Sequence, residues 1–158
     1  MKPLKLALLG SPVGHSISPQ IFSRVFGGHG LEGSSYEARD VAPEDLQKTI
    51  MALREAGWTG ANITIPHKRS VFELLDWADP ICQRTGTTNC VDFAGDGKLH
   101  GFNTDYHGLQ ATLTKNMGAS APKRAVILGA GGTAATSLMI LSRMALDSIN
   151  IVARNEAA

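Results

Sequence analysis

With 158 residues, 43% of them hydrophobic and 18% charged, the chain is long enough for one ordinary domain, or for one small domain and part of another. Fifteen basic residues against fourteen acidic ones leave a net charge of +1, which excludes a general electrostatic footprint for nucleic acid or an anionic membrane and confines any anion site to a local cluster. No run of eighteen apolar residues occurs, Leu4 to Leu9 is too short for a leader or a span, and Cys82 and Cys90 have no His or Cys at ligand spacing, so the expectation is a cytoplasmic chain with neither disulfide framework nor metal.

Lys5 to Leu9 is a short apolar run ended by Gly10-Ser11-Pro12 and reads as a buried strand of a parallel sheet. Ser18 followed by Pro19 fits a helix N-cap and first helical position, with Ile21, Phe22, Val25 and Phe26 on one face and Gly27-Gly28 as the end. Tyr36 to Val41 reads as a second strand, Pro43 to Ala56 as a helix carrying Leu46, Ile50 and Leu53, and Gly60 to Ile65 as a third strand rich in β-branched residues. Pro66 opens another helix, with Val71, Leu74 and Leu75 turned inward. Asn89 to Phe93 and Lys98 to Phe102 flank Gly95-Asp96-Gly97, whose glycines permit positive φ, and so form an antiparallel hairpin. Thr104 and Asp105 supply an N-cap for a helix carrying Leu109 and Leu113, and Met117 to Pro122 is small, polar and turn-forming. Arg124 to Leu128, Gly132 to about Arg143 and Ser148 to Val152 complete a strand, a helix and a parallel strand with a right-handed crossover.

The alternation is that of an α/β protein. Residues 1–110 are expected to hold a mixed, mainly parallel sheet flanked by helices, and residues 111–158 the first βαβ unit of a Rossmann-like domain. A whole nucleotide domain needs more strands than this, so the second unit is expected to be truncated.

Four segments carry chemistry. Ser16-Ile17-Ser18-Pro19, Asn62-Ile63-Thr64-Ile65-Pro66-His67-Lys68 and Gly101-Phe102-Asn103-Thr104-Asp105 supply hydroxyls and an amide for an oxygen-rich molecule, with a lysine and a carboxylate to move its proton. Gly129-Ala130-Gly131-Gly132-Thr133-Ala134 follows an apolar strand with the G-x-G-x-x-G/A spacing that lets backbone approach a pyrophosphate at a helix N-terminus. Arg154, at the end of the next strand, stands where an NAD-preferring domain often places an acidic residue, and so favours NADP. Together they read as a nicotinamide-dependent alcohol dehydrogenase. Lys68 lies in the first turn of a helix, where the dipole disfavours a cation, and that unfavourable place suggests a use. Plainer roles stand beside these: a tight structural turn for the glycines, a solvated Arg154, an N-cap for Asp105 or Ser18, and surface positions for His15 and His67.

In this order the motifs resemble the shikimate dehydrogenase family, and the resemblance runs over nearly the whole chain. It implies that Ser16 and Ser18 hold the substrate carboxylate, that Thr64, Lys68, Asn89 and Asp105 contact the ring hydroxyls, and that Lys68 and Asp105 form the catalytic pair. It implies NADP held by Gly129, Ala130, Gly131, Gly132, Thr133 and Arg154, and reversible reduction of 3-dehydroshikimate to shikimate in chorismate and aromatic amino acid biosynthesis. A quinate or aminoshikimate dehydrogenase and a noncatalytic shikimate-binding module are the alternatives, and a homodimer is admitted. Two departures stand out: Gly86-Thr87-Thr88-Asn89 carries hydroxyls where the family has small apolar residues, placing them near the pocket, and Ala153 replaces the asparagine that often precedes the 2′-phosphate arginine. The family's C-terminal helix with its substrate-binding glutamine is not among these residues, so the chain is expected to bind the acid more readily than it oxidises it.

Overall fold

A computed structural model describes residues 2–93, 95–117 and 122–154. Six strands form one sheet: β1 (Lys5–Gly10), β2 (Ser35–Asp40), β3 (Gly60–Ile63), β4 (Trp77–Ala78), β5 (Cys90–Phe93) and β6 (Leu99–Phe102), in the order β2-β1-β3-β5-β6-β4. The β1–β2, β1–β3 and β4–β6 pairings are parallel, whereas β3–β5 and β5–β6 are antiparallel. This is the mixed, mainly parallel sheet expected. Its helices are α1 (Ser18–Gly28), α2 (Leu46–Glu55), α3 (Lys68–Phe72), α4 (Pro80–Thr85) and α5 (Asp105–Met117). A second sheet of two parallel strands, β7 (Arg124–Leu128) and β8 (Ser148–Val152), is joined through α6 (Gly132–Leu141).

The alternating apolar positions of the first sheet do what their pattern requires. Ala7 and Leu9 of β1, Ala61 and Ile63 of β3, and Val91 and Phe93 of β5 meet Leu46, Ile50 and Leu53 of α2 and Val71 of α3 in one buried cluster, with Leu74 and Leu75 packed against it. Each fully buried aliphatic side chain contributes about 1.5–3 kcal/mol, an upper bound because unfolded chains already bury some area. The hairpin turn follows its glycine chemistry, with Gly97 at φ 80°. No helix among the described residues is long and apolar enough to cross a membrane.

Local differences from the sequence reading have identifiable causes. Ser18 does not cap α1. Ile17 is the N-cap residue and is already αR, and the Ser16 hydroxyl accepts from the Ser18 N–H at 3.2 Å. The stretch from Pro43 divides into a 3-10 turn, Pro43–Asp45, and α2. β3 stops at Ile63, and Thr64 to His67 form a turn closed by the His67 N–H on the Thr64 carbonyl at 2.9 Å, so α3 begins only at Lys68. β4 and α4 have no counterpart in the sequence reading. α4 nevertheless has complete end chemistry: the Asp79 carboxylate accepts from the Cys82 N–H at 2.6 Å, Pro80 starts the first turn, and Gly86 closes the helix at φ 62°. α6 stops at Leu141, short of Arg143. Most of the turn read at Met117 to Pro122 lies outside the described residues.

Gly60 sits where the two halves of the first sheet meet, and a Cβ there would lie 2.5 Å from the Val91 backbone oxygen. Backbone of a central strand has little room to shift, so Gly60→Ala should lower stability by roughly 1–3 kcal/mol, as overpacked core positions do. Urea unfolding checks this, and an unchanged midpoint would contradict the close β3–β5 approach.

Candidate active site

Strand direction assembles the site. The loops after β1, β3 and β6 and the residue before antiparallel β5 all fall at one edge of the sheet, the carboxyl-end crevice where open α/β sheets hold ligands. Ser16, Ser18, Thr64, Lys68, Asn89 and Asp105 lie on these segments. The β3–β5 and β5–β6 ladders run on into this edge: the Ile63 N–H donates to the Asn89 carbonyl at 2.9 Å, and the Asn89 N–H to the Phe102 carbonyl at 3.1 Å.

Lys68 and Asp105, 37 residues apart, meet there. Lys68 Nζ donates to Asp105 Oδ2 at 2.5 Å, with side-chain exposures of 15% and 32%. The other carboxylate oxygen, Oδ1, accepts from Asn89 Nδ2 at 2.7 Å, and Asn89 Oδ1 accepts from the Thr104 N–H at 2.8 Å. Asn89 therefore fixes the carboxylate and the backbone that carries it. Both oxygens of Asp105 bind side chains, so the carboxylate serves Lys68 and Asn89 rather than a helix cap.

Ser16 and Ser18 form the second cluster, with Ser16 Oγ donating to Ser18 Oγ at 3.1 Å. They line a cavity of ≈ 460 Å³ together with His15, Ile17, Thr64 and Ile65. Thr64 is seated by Gly10, where an added Cβ would lie 2.3 Å from Thr64 Cγ2. Another cavity, ≈ 510 Å³, lies between β2 and α2 around Arg39, Asp45, Lys48 and Trp58, and includes none of these groups. The first therefore has the better claim as a ligand site.

Two residues beside the site have roles that escape the sequence reading. Tyr36 of β2 donates its hydroxyl to Asn62 Oδ1 of β3 at 2.9 Å, and its ring stacks on Phe22 of α1 with centroids 4.1 Å apart. Burial pushes the Tyr36 phenol up to about 12, against an opposing effect of the Ser18 hydroxyl beside it and with a further rise from Cys90. Asn62 Nδ2 reaches the Asn89 carbonyl at 3.4 Å. The available signal was weak: Asn62 begins the lysine motif, and a polar residue on a strand otherwise reads as a solvent-facing position.

The glycine turn comes close to the lysine. Thr133 Oγ1 is 3.5 Å from Lys68 Nζ, at the limit of hydrogen bonding, and Arg69 Nη2 donates to the Ala130 carbonyl at 3.4 Å. Gly129 has φ 106°, a conformation that favours glycine, and added Cβ atoms at Gly129 and Gly131 would meet nothing within 4 Å. That open, glycine-lined approach to the α6 N-terminus fits a pyrophosphate. The Gly129 N–H donates to the Val152 carbonyl at 2.8 Å, which sets the end of β8 beside the turn. Arg154, two residues on, is exposed.

Three positions differ from expectation. His67 is buried, not on the surface, and its Nε2 pairs with the Val41 carbonyl at 2.7 Å, because the turn before α3 folds the ring under the end of β2. His15 is exposed. The Thr87 and Thr88 hydroxyls do not enter the pocket. Both residues are fully buried, with Thr87 bonded to Thr85 and Asn103 and Thr88 to Cys82 Sγ.

Residues 8–91 match the family described as shikimate dehydrogenase substrate binding domain. A shikimate dehydrogenase (NADP(+)) of Mesorhizobium japonicum is 40% identical over 154 residues, which cover 97% of this chain and 54% of the relative. The crystal structure of shikimate dehydrogenase 1 from Peptoclostridium difficile superposes with a TM-score of 0.90 at 31% identity, covering 98% of this chain and 58% of that one. The shikimate 5-dehydrogenase of Thermus thermophilus, solved in complex with NADP(H) and shikimate, gives 0.82 at 35% identity, covering 98% and 57%. The chain thus spans about half the length of the curated relatives it matches.

The packing of Tyr36 has a measurable consequence. Its folded value, about 12, lies above the ordinary value near 10, so the folded state holds that proton longer than the unfolded state does. The stability this group contributes is complete below pH ~10 and is lost as pH rises toward ~12. Chemical denaturation should therefore show wild type and Tyr36→Phe converging over that window, and a constant difference would contradict the burial.

Proposed function

The chain belongs to the shikimate dehydrogenase family, and from that premise we propose that it carries the acid-binding and proton-transferring part of an NADP-linked dehydrogenase interconverting 3-dehydroshikimate and shikimate. The observation that carries this reading is the Lys68–Asp105–Asn89 cluster, set at the same sheet edge as the Ser16–Ser18 pair and closed from above by the glycine turn. An oxygen-rich ring acid suits these groups, because a ligand lacking hydroxyls would leave buried donors and acceptors unpaired.

In this reading the domain boundary falls near residue 110, with the substrate part before it and the start of the nucleotide part after it. The Ser16 and Ser18 hydroxyls hold the carboxylate, and Thr64, Asn89 and Asp105 hold the ring hydroxyls. NADP would be held along Gly129, Ala130, Gly131, Gly132 and Thr133, with Arg154 toward the 2′-phosphate, and would supply or accept the hydride at the ring carbon. Lys68 Nζ gives a proton to the carbonyl oxygen as the carbon is reduced and takes it back in the reverse direction. Asp105 holds Lys68 in place and keeps its ammonium charge balanced, and Asn89 holds Asp105. A cytoplasmic setting goes with this reading, since Cys82 and Cys90 are both free thiols.

Lys68→Ala and Asp105→Ala should each lower turnover by about 10²–10⁴, the contribution of general acid–base catalysis, with a much smaller change in shikimate affinity. An NADPH absorbance assay on a length of this protein that turns over measures it, and unchanged turnover would remove both residues from the mechanism. Ser18→Ala should weaken shikimate binding by roughly 1–3 kcal/mol in calorimetry. Its thermal midpoint should stay put, because Ser18 does not cap α1; a lowered midpoint with intact affinity would reverse that assignment.

A further inference from the structure

Four consecutive residues, Asn103 to Tyr106, bind in two directions. Thr104 and Asp105 turn to Asn89 and Lys68, whereas Asn103 and Tyr106 turn to α6. Tyr106, itself buried, takes the residue just beyond the helix: Arg143 Nη1 donates to its hydroxyl at 2.7 Å, and the guanidinium carbon lies 5.6 Å from its ring centroid. Asn103, also buried, takes the middle of the helix, with Nδ2 donating to Thr136 Oγ1 at 3.1 Å and to Thr87 Oγ1 at 3.0 Å.

The hydrogens of this cluster can be traced. Asn103 Nδ2 makes its shortest contacts to Thr87 and Thr136, with Thr85 Oγ1 at 3.3 Å and the Thr87 carbonyl at 3.4 Å farther off. Thr136 passes its own hydroxyl proton to the Gly132 carbonyl at 3.3 Å, and Thr87 passes its proton to Thr85 Oγ1, which donates to the Ile81 carbonyl at 2.8 Å. Such relays polarise one another in a low-dielectric interior. Asn103 Oδ1, by contrast, is buried without a partner among the described residues. The relay ends on Gly132, whose Cα is so close to the lysine that an added Cβ would lie 3.2 Å from Lys68 Cβ and 3.3 Å from Thr87 Cγ2.

We infer that Asn103 and Thr136 form a buried latch that holds the glycine turn down over Lys68, and that they are positioning residues for the Lys68–Asp105 pair. The latch accounts for Thr87 as well, since its hydroxyl serves the interface between the two sheets. With the latch made, Lys68 is shielded and the glycine turn is registered against it; with the latch broken, α6 remains tethered by Arg143 and Tyr106 and its first turn lifts. The consequence for catalysis rests on the proton-transfer reading of Lys68, but the geometry of the latch does not.

The test is the accessibility of Lys68. Reductive methylation of the 158-residue chain, read by peptide mass spectrometry, compares Lys68 with exposed Lys48 in the same molecule. Thr136→Val keeps the shape and removes the hydroxyl, and it should raise the Lys68 to Lys48 labelling ratio about fivefold, the population change that loss of one buried hydrogen bond produces. Thr136→Ser restores the hydroxyl and should return the ratio to wild type, which a merely structural role would not require. Asn103→Ala, if it folds, should match Thr136→Val. A wild-type ratio in Thr136→Val, or no rescue by Thr136→Ser, would overturn the latch. If the ratios behave as expected while Lys68→Ala leaves turnover unchanged in a length of this protein that turns over, the latch stands and the proton-transfer reading falls.

Discussion

The Lys68–Asp105 ion pair is the contact on which the rest of the site depends. It joins the first residues of α3 and α5, and it places one charge well and the other badly. A carboxylate at a helix N-terminus is favoured by the dipole and an ammonium there is disfavoured, each by about 0.3–1 kcal/mol. The charge-assisted hydrogen bond between them contributes about 1.5–3 kcal/mol before solvent screening reduces it. The pair therefore holds Lys68 where helix electrostatics alone would not. Asn89 completes the arrangement by bonding to both the Asp105 carboxylate and the Thr104 N–H, so the hairpin, the lysine turn and the α5 junction form one rigid piece.

Much of the architecture was legible because apolar runs and glycines leave few choices. β7 and β8 lie where short stretches rich in Val, Ile and Leu place them, and the β5–β6 hairpin turns at Gly95-Asp96-Gly97 as the positive φ of Gly97 allows. The segment from Asp76 to Thr88 was not legible, since β4 has two residues, α4 has six, and Cys82 is the only buried position in that helix. Its Asp79-Pro80 start and Gly86 end were nonetheless standard helix signals, and weighing end chemistry above periodicity would have found it. At Ser18 the error ran the other way: the Ser-Pro pair looked like a cap, but the backbone had already turned helical at Ile17.

The site divides in the same manner. Lys68, Asp105 and Asn89 could be named because motifs carry them, while their meeting depends on strand order that no local pattern encodes. Tyr36 and Asn62 escaped because their importance arises from register: β1 lies between their strands, and only the assembled sheet brings the phenol to the amide. His67 was misplaced because a polar residue in a turn reads as solvated, and Thr87 because a hydroxyl beside a site motif reads as pocket lining, until the packing above it is known. Both are buried with partners, as buried polar groups generally are.

In the proposed function, a ring acid lies along the sheet edge with its carboxylate at Ser16 and Ser18 and a ring hydroxyl at Lys68. A crystal structure of this chain with shikimate tests it most directly. The expected result is the carboxylate within hydrogen-bond distance of both serine hydroxyls and one ring oxygen shared between Lys68 Nζ and Asp105. Shikimate bound in the opposite orientation, or seated in the cavity around Arg39 and Lys48, would contradict it.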